Sequence, residues 1–257
     1  MITLNELIVN GKSTADFSFD VYVTRNAGYN YAKKKNVLFE STYGTGASKN
    51  EINAYPPIEK VYTIHCPFAT LQDMREITAW ASDSGTLIPS DEPDVYYEIL
   101  DVHITDARIH EVTGYLIDVI FTTMPFGYEI NQRTGVYWDK SPDPLLTRMG
   151  TDLVFVGDGK LFNHTNAPMY PRIDVYGTSA NEVQIQIGRQ EVKLRYIDEK
   201  ITIESKPFEQ GVYDKNGREL NSVMSGDFIE IPKNTTNSVI TSSGIDRIEV
   251  LSRWAWL

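Results

Sequence analysis

The sequence predicts a mainly β protein, in which an N-terminal β-rich domain with one α-helix precedes a C-terminal antiparallel β-sandwich. Two observations favour this fold. From Pro171 to Trp256, short segments alternate apolar and polar residues, and turn signals separate them. One convincing stretch, 70–82, places apolar residues at helical spacing. Because alternation puts the apolar side chains of a strand on one face, such strands bury those faces by stacking two sheets.

The composition is that of a folded, acidic protein. The chain has 257 residues, 41% of them hydrophobic, and 24 Lys plus Arg against 35 Asp plus Glu give a formal net charge of -11. This balance argues against a dedicated nucleic-acid binder, because neutralising phosphates requires clustered cations. Cys66 is the only cysteine, which rules out an intrachain disulfide. We expect no signal peptide and no membrane insertion, since no stretch has the required apolar length.

The first 66 residues contain strands and one long polar segment. Apolar residues lead to a two-residue hairpin signal at Asn10-Gly11, and a second alternating face follows at Phe17, Phe19, Val21 and Val23. The segment 28–57 is polar and rich in turns, with one strand-like piece at Asn36–Ser41. A loop of this length is usually functional or mobile. The next strand is predicted at 60–66.

The helix at 70–82 has recognisable ends. Thr70 can cap it, Asp73 lies near its positive end, and Gly85 is a plausible stop. Its predicted apolar stripe consists of Leu71, Met74, Ile77 or Thr78, and Ala81.

Further strands lead to a predicted domain boundary. We expect strands at 85–89, 95–100, 101–112 and 114–123, with Pro125-Phe126-Gly127-Tyr128 ending the series. Residues 128–150 are polar and contain prolines, which marks a boundary. The predicted organisation is therefore an N-terminal domain at 1–135, a linker at 136–149 and a sandwich at 150–257.

The strands of the predicted sandwich follow from its apolar members. Gly177 and Gly188 are predicted to end the first two of them. The apolar sets are Ile173 and Val175; Val183, Ile185 and Ile187; Val192, Leu194 and Tyr196; Ile201 and Ile203; Ile229 and Ile231; and Ile248, Val250 and Trp254.

No motif in the sequence predicts a metal or a reactive cysteine. His103 and His110 are seven residues apart, so within a strand they point to opposite faces rather than to one ion. A nucleophilic Cys66 would need a basic partner, but His65 is adjacent and points the other way, so a small buried residue is the better interpretation.

Neither a phosphate loop nor a pair of catalytic carboxylates is predicted. Gly157-Asp158-Gly159-Lys160 lacks the spacing of a phosphate loop and is interpreted as a hairpin turn. Asp91, Glu92 and Asp94 could suggest a glycosidase, but the surrounding residues indicate a solvated turn. We therefore predict no catalytic residues, no cofactor and no metal.

The candidate interface residues lie in the long polar segment and at the chain's end. The first group comprises Lys33, Lys34, Lys35, Tyr43, Gly44 and Gly46. The lysines can touch DNA or an acidic patch of a partner, or they can be an ordinary solvated loop. Trp254 shares a face with Ile248 and Val250 and is predicted to lie in the core, whereas Trp256 can dock onto a neighbouring molecule.

Several stretches together resemble the distal tail protein family of long, flexible-tailed bacteriophages that infect Gram-positive bacteria. They occur in the family's order and cover most of the chain. The stretches are Gly44-Thr45-Gly46 followed by 61–64; 77–80 continuing through Gly85-Thr86-Leu87-Ile88-Pro89 to Tyr96-Tyr97; 120–128; Tyr170-Pro171-Arg172-Ile173; 201–205; 226–232; and Arg253-Trp254.

The resemblance implies a structural role at the tip of a phage tail. It implies an N-terminal domain that closes into a hexameric ring and a galectin-like C-terminal sandwich. The ring would join the major tail tube protein to the tail-associated tip protein and the receptor-binding protein. DNA would pass through its hole without specific binding, since an acidic lining repels phosphates. The protein would be made in the host bacterial cytoplasm and end in the virion.

Two other functions remain open from the sequence. The first alternative is a carbohydrate-binding module that attaches to the host cell wall through the sandwich, which requires an exposed aromatic residue with convergent polar groups. The second is a wall-degrading enzyme, for which the sequence provides neither an acid pair nor a metal set.

Overall fold

The computed structural model describes residues 6–25, 27–28, 30, 32–33, 35–40, 47–51, 55–81, 84–105, 108–110, 114–130 and 154–257. The chain divides into two compact units, 1–130 together with Leu257, and 131–256. The predicted linker at 136–149 lies outside the described residues, so the domain boundaries at 135 and 150 stay a prediction. Within the described part, no helix is long and apolar enough to cross a membrane.

The N-terminal unit is an antiparallel sheet with one α-helix among its described residues. The sheet has the order β2-β1-β7-β8-β10-β6-β3, with β9 pairing β10, while β4 and β5 form a separate hairpin. The elements are β1 (Ile8–Val9), β2 (Lys12–Ser13), β3 (Tyr22–Arg25), β4 (Asn36–Glu40), β5 (Ala47–Glu51), β6 (Ile58–Cys66), α1 (Leu71–Ala81), β7 (Gly85–Ile88), β8 (Val95–Ile104), β9 (Arg108–His110) and β10 (Gly114–Glu129).

The hairpin predicted at Asn10-Gly11 is confirmed. It joins β1 to β2, and both of its residues have positive φ, 51° and 81°. This is the backbone that a two-residue turn of type I′ requires, and Asn and Gly adopt it most readily. The Asn10 side chain also accepts from the Thr86 amide at 2.9 Å and donates to the Ser84 carbonyl at 3.1 Å, which ties the turn to β7.

The predicted helix is confirmed, but its buried face differs from the predicted one near both ends. The Thr70 amide donates to Asp73 Oδ2 at 2.7 Å, and the Asp73 amide donates back to Thr70 Oγ1 at 3.3 Å. This reciprocal pair caps the first turn. Leu71 was expected in the apolar stripe but is 62% exposed. The fourth buried position belongs instead to Trp80, whose Nε1 donates to the Lys12 carbonyl at 2.9 Å.

Two strand predictions in this unit are wrong in extent. The alternating set at 17–23 forms a strand only from Tyr22, and the residues just before this set, 14–16, form a turn of 3-10 helix. Phe17, Phe19 and Val21 still pack against the core as partly buried residues. The expected strand at 101–112 is split, since β8 continues through Ile104 and β9 covers only three residues.

Strand β10 also continues where an end was predicted. It runs through Pro125 to Glu129, and its pairing with β8 shifts register between Thr123 and Gly127. A proline cannot donate a ladder hydrogen bond, and an irregularity of this kind lets the strand accommodate it. In the polar segment, the strand predicted at 36–41 is confirmed as β4, whereas its partner β5, a wholly polar run after Ala47, was not predicted.

The C-terminal unit is the predicted sandwich. Its two five-stranded antiparallel sheets have the orders β11-β20-β13-β16-β17 and β12-β19-β14-β15-β18, and residues of both sheets share one apolar cluster. The ten strands of these sheets are β11 (Val154–Phe155), β12 (Gly159–Asn163), β13 (Arg172–Ser179), β14 (Val183–Ile187), β15 (Gln190–Leu194), β16 (Ile197–Glu204), β17 (Gly211–Asp214), β18 (Met224–Ser225), β19 (Thr235–Thr241) and β20 (Ile245–Leu251). A further short strand, β21 (Ala255–Trp256), follows them and belongs to neither sheet.

Three details of the predicted sandwich are corrected. Gly177 does not end β13, which continues to Ser179; a side chain there would collide with the Gly244 carbonyl, so glycine permits close approach of β20. Tyr196 is exposed between β15 and β16 rather than buried. Ile229 and Ile231 are buried, but they form no strand, and Ile231 makes only an isolated bridge to Met169.

The turn at 157–160 is also not a hairpin. Strand β11, before it, pairs with β20 in one sheet, whereas β12, after it, pairs with β19 in the other. The turn therefore passes the chain from one layer of the sandwich to the other.

Candidate functional site

The predicted interface residues are only partly visible. Lys33 and Lys35 are exposed in the segment before β4, while Lys34, Tyr43, Gly44 and Gly46 lie outside the described residues. Trp256 is half-buried, and its ring centroid lies 5.8 Å from that of His164, which also meets Trp254 at 4.8 Å. Trp254 is buried in the sandwich core, as predicted. Whether the exposed lysines or Trp256 contact a partner stays a prediction.

The most developed polar site is on the outer face of the first sheet of the sandwich. Ile173, Ile201 and Val212 face the core, so their neighbours along β13, β16 and β17 project from the opposite face. In register across these strands lie Asp174, Thr202 and Tyr213. We call the depression in this surface the outer-face cleft. It is an open cleft of about 260 Å³, lined by Arg172, Lys200, Thr202, Glu204, Tyr213, Asp214, Lys215 and Gly217.

A hydrogen-bonded carboxylate forms part of this face. Asp174 is only 8% exposed although it does not face the core. It accepts from Lys200 Nζ at 2.9 Å, Thr202 Oγ1 at 2.8 Å and Arg172 Nε at 3.1 Å. Burial alone would raise the pKa of Asp174, but these three donors hold that pKa below its ordinary value. The carboxylate is therefore a fixed negative group with both oxygens oriented.

A second ion pair fixes the neighbouring carboxylate. Arg253 donates to Glu204 through both terminal nitrogens, and the bond from Nη2 to Oε2 measures 2.6 Å. The Lys206 amide donates to the same carboxylate at 2.9 Å. Arg253 holds a left-handed backbone, with φ of 51°, and a bidentate pair of this kind sets its orientation.

Tyr213 provides the aromatic element of the cleft. A Cβ on Gly211 would lie 2.6 Å from the Tyr213 hydroxyl, so the ring extends along β17 into space that only glycine leaves open. Just after the other end of β17, Lys215 is paired with Glu199 at 2.9 Å and Asp198 at 3.5 Å. The cleft thus combines one partly buried ring with oriented donors and acceptors.

A buried lysine in the N-terminal unit was missed. Lys60 is 0% exposed and lies on the same face of β6 as Tyr62 and Ile64. Its Nζ lies 2.6 Å from Glu92 Oε1 and 4.0 Å from the centre of the Tyr97 ring, and Tyr97 also donates to Glu92 at 2.7 Å. The prediction that Glu92 lies in a solvated turn is therefore wrong. Lys60 falls in phase with the apolar residues of its strand, and this signal could have found it.

The same surroundings keep the nearby Tyr62 hydroxyl protonated. Burial raises the pKa of Tyr62 far above its ordinary value, and the carboxylates of Asp91 and Glu92 raise it further. The Asp91 carboxylate also accepts from the Gly28 amide at 2.9 Å, which connects this region to the segment before β4. The contacts of Lys60, Glu92 and Asp91 therefore hold parts of the N-terminal unit together and are typical of a structural role.

Among the described side chains, each unit has one strongly exposed phenylalanine, and both lie on turns. Phe68 and Phe208 are 86% and 94% exposed, and both have left-handed backbones, with φ of 57° and 70°. A proline precedes each, and Pro followed by a residue with positive φ is typical of a type II turn, which normally places Gly or Asn second. The turn that carries Phe208 is closed by a 3.0 Å bond from the Glu209 amide to the Lys206 carbonyl.

Cys66 is buried, as predicted. Burial, together with the negative charge of Asp73, raises the pKa of its thiol to about 11, which leaves the thiolate scarce at neutral pH. His103 is exposed on β8, and the His110 side chain lies outside the description. Among the described residues, no group of three or more His, Cys, Asp or Glu could hold a metal ion.

These features place the protein in a broad structural class. The protein is mainly β, with antiparallel sheets in both units, and its notable surface features are projecting aromatic residues and a polar cleft. No family model matches the sequence, and no curated protein matches it either.

Comparison with solved structures finds a similar fold. The chain is similar to the crystal structure of the Dit protein (gp 19.1) of SPP1, with a TM-score of 0.70 and 12% sequence identity. The match covers 97% of this chain and 99% of that one. The SPP1 protein is described as a paradigm of the hub adsorption apparatus in phages that infect Gram-positive bacteria. At this identity the likeness shows the fold.

Proposed function

We propose that this protein is a structural hub of a phage tail tip, which works by binding copies of itself and neighbouring tail proteins and not by catalysis. The observation that carries the proposal is the likeness to the SPP1 protein over nearly the whole of both chains, with both units included. A shared domain would be weak support, because one fold serves many functions. A shared order of two different β-rich units is stronger support.

We propose that the N-terminal units form a hexameric ring. A head-to-tail ring requires two different complementary surfaces on each subunit. The sheet of this unit has two unlike edges, the two-residue β2 and the longer β3, whose pairing with β6 shifts register. Phe68 and Leu71 add exposed apolar area close to the start of α1. These features supply different candidate surfaces for the two sides of a subunit.

The ring would connect the major tail tube protein to the tail-associated tip protein and the receptor-binding protein. The net charge of -11 supports passage of DNA through the ring without specific binding, because like charges repel. Such a protein would be synthesised in the host cytoplasm and remain at the virion tail tip.

The experiment is electron microscopy with light scattering on the purified full chain, alone and mixed with the tube protein encoded by the same phage. We expect six-fold rings, either spontaneously or on the tube protein. A protein that stays monomeric at every concentration, and that neither binds the tube protein nor forms rings with it, would contradict the proposal.

A further inference from the structure

We propose that the outer-face cleft of the C-terminal sandwich binds one uncharged sugar residue. This inference goes beyond the hub role and does not depend on it. It begins from an imbalance between the two faces of one sheet: β16 buries Ile201 and Ile203 in the core, yet Thr202 and Glu204, on its other face, are also buried. Polar side chains of a surface strand are usually solvated. Here they are sunk into the floor of a cleft.

The size of the cleft limits its ligand. A volume of about 260 Å³ lies just below the range of drug-sized sites, roughly 300–1,000 Å³. A single six-membered sugar ring is a ligand of suitable size, whereas a folded peptide segment is too large. The cleft therefore selects a small group, which can be free or the end of a longer polymer.

The charges of the cleft favour a neutral ligand over an anion. Arg172 and Lys200 are paired with Asp174, and Arg253 is paired with Glu204. Lys215 is paired with Asp198 and Glu199 at the rim. A phosphate or carboxylate would have to compete with these existing partners for each cation, and it would meet the adjacent carboxylates as like charges.

An uncharged polyol has no such competition. A carboxylate has about four lone-pair sites and an ammonium has three N–H groups, so Glu204 and Lys200, which line the cleft, keep hydrogen-bonding capacity beyond their pairs with Arg253 and Asp174. Asp174 does not line the cleft and already accepts four hydrogen bonds, so its role is to hold Lys200 and Arg172 in place. Their pairing also fixes their positions, so little order is lost on binding. Alternating fixed donors and acceptors match the hydroxyl groups of a sugar.

Tyr213 supplies the apolar contact that completes the site. Its ring is partly buried beside Gly211 and follows the strand. An aromatic ring with a polar tip provides a flat surface for the C–H face of a sugar and a hydroxyl for one of its oxygens. This is the combination of an aromatic residue and convergent polar groups that the sequence could not identify.

The test is saturation-transfer NMR on the full chain with D-glucose, D-galactose and N-acetyl-D-glucosamine, and with glycerol 1-phosphate as an anionic probe. We expect at least one sugar to bind with a Kd no weaker than about 10 mM, and Tyr213→Ala to weaken that binding about tenfold. Gly211→Ala should act similarly by displacing the ring. Tyr196→Ala removes an exposed tyrosine of the same unit that does not line the cleft, and it should leave binding unchanged.

Three results would overturn the inference: no signal from any of the sugars, a sugar signal that survives both Tyr213→Ala and Gly211→Ala, or binding of glycerol 1-phosphate alone. Thr202→Val keeps the shape of the cleft floor and removes the hydroxyl group that bonds Asp174. Comparing its sugar affinity with its stability shows whether a loss of binding comes from a lost ligand contact or from a less stable fold. Its thermal unfolding is measured in parallel. Ring formation by the same preparations is scored separately, so failure of sugar binding leaves the hub proposal standing.

Discussion

The two units place their buried ionic groups on different faces of a sheet. In the N-terminal unit, Lys60 is fully buried on the core-facing side of β6 and is paired with Glu92 at 2.6 Å. In the C-terminal unit, Asp174 accepts hydrogen bonds from Arg172, Lys200 and Thr202 on the face that points away from the core. An enclosed charge depends on its partner, whereas a charge network that borders a cleft leaves hydrogen-bonding capacity for a ligand, here on Lys200 and Glu204. The first arrangement favours a structural anchor, and the second favours a binding face.

The largest effect is expected from breaking the enclosed pair. Glu92→Gln leaves the Lys60 charge buried with only a neutral partner, and we expect it to lower the free energy of unfolding of the N-terminal unit by about 3–5 kcal/mol. Calorimetry of the full chain measures this effect as a lower midpoint temperature of one unfolding transition. Glu59→Gln, on the exposed side of the same strand, should change it by no more than about 0.5 kcal/mol. Equal effects of the two substitutions would show that the pair is not an anchor.

A smaller effect is expected in the C-terminal unit. Asp174→Asn removes the charge that orients Arg172 and Lys200, and we expect a loss of about 1–3 kcal/mol in the free energy of unfolding. Asp246→Asn is the matched control, since Asp246 is exposed on the neighbouring strand β20. A loss as large as that of Glu92→Gln would mean that the outer face is as enclosed as the core, which would weaken the contrast between the units.

The acid limb of stability tests the same contrast. The pKa of Asp174 is held below its ordinary value of 3.8, so its contribution is fully present above that value and is lost as the pH falls through the lower folded-state pKa. We expect the C-terminal transition to move to lower temperature as the pH falls below about 4, and Asp174→Asn to reduce that dependence. If the unfolding temperature of the variant fell with pH as it does in the unchanged protein, the loss of stability in acid would come from other carboxyl groups.

The smallest effect on stability, with the largest difference in assembly, is expected from the two exposed turns. Asn tolerates a left-handed backbone better than Phe, so Phe68→Asn and Phe208→Asn should each raise the free energy of unfolding by up to about 1 kcal/mol. If the N-terminal units form the ring, Phe68→Asn should weaken it and Phe208→Asn should not, as measured by light scattering of the assembled particle. The reverse result would place the subunit contact on the sandwich.

The fold could be predicted from the sequence where one strand face is buried and local signals agree. The alternation at Val183–Ile187, the Asn10-Gly11 turn and the Thr70–Asp73 cap all correspond to observed elements. Predictions failed where pairing overrides local pattern. Pro125 is predicted to end a strand, but β10 continues beyond it through a shift of register. Ile229 and Ile231 alternate with polar residues as in a strand, but they form no ladder of hydrogen bonds.

The sequence by itself determined the mainly β class, the position of the helix, most of the strands and the acidic, single-cysteine character of the chain, because these depend on side-chain periodicity and composition. Only the tertiary structure decided that Lys60 meets Glu92, 32 residues away, and that Asp174 meets Lys200, 26 residues away. Such contacts depend on strand order and register, which bring distant residues side by side. An alternating pattern specifies which residues share a face, but it does not specify which strands become neighbours.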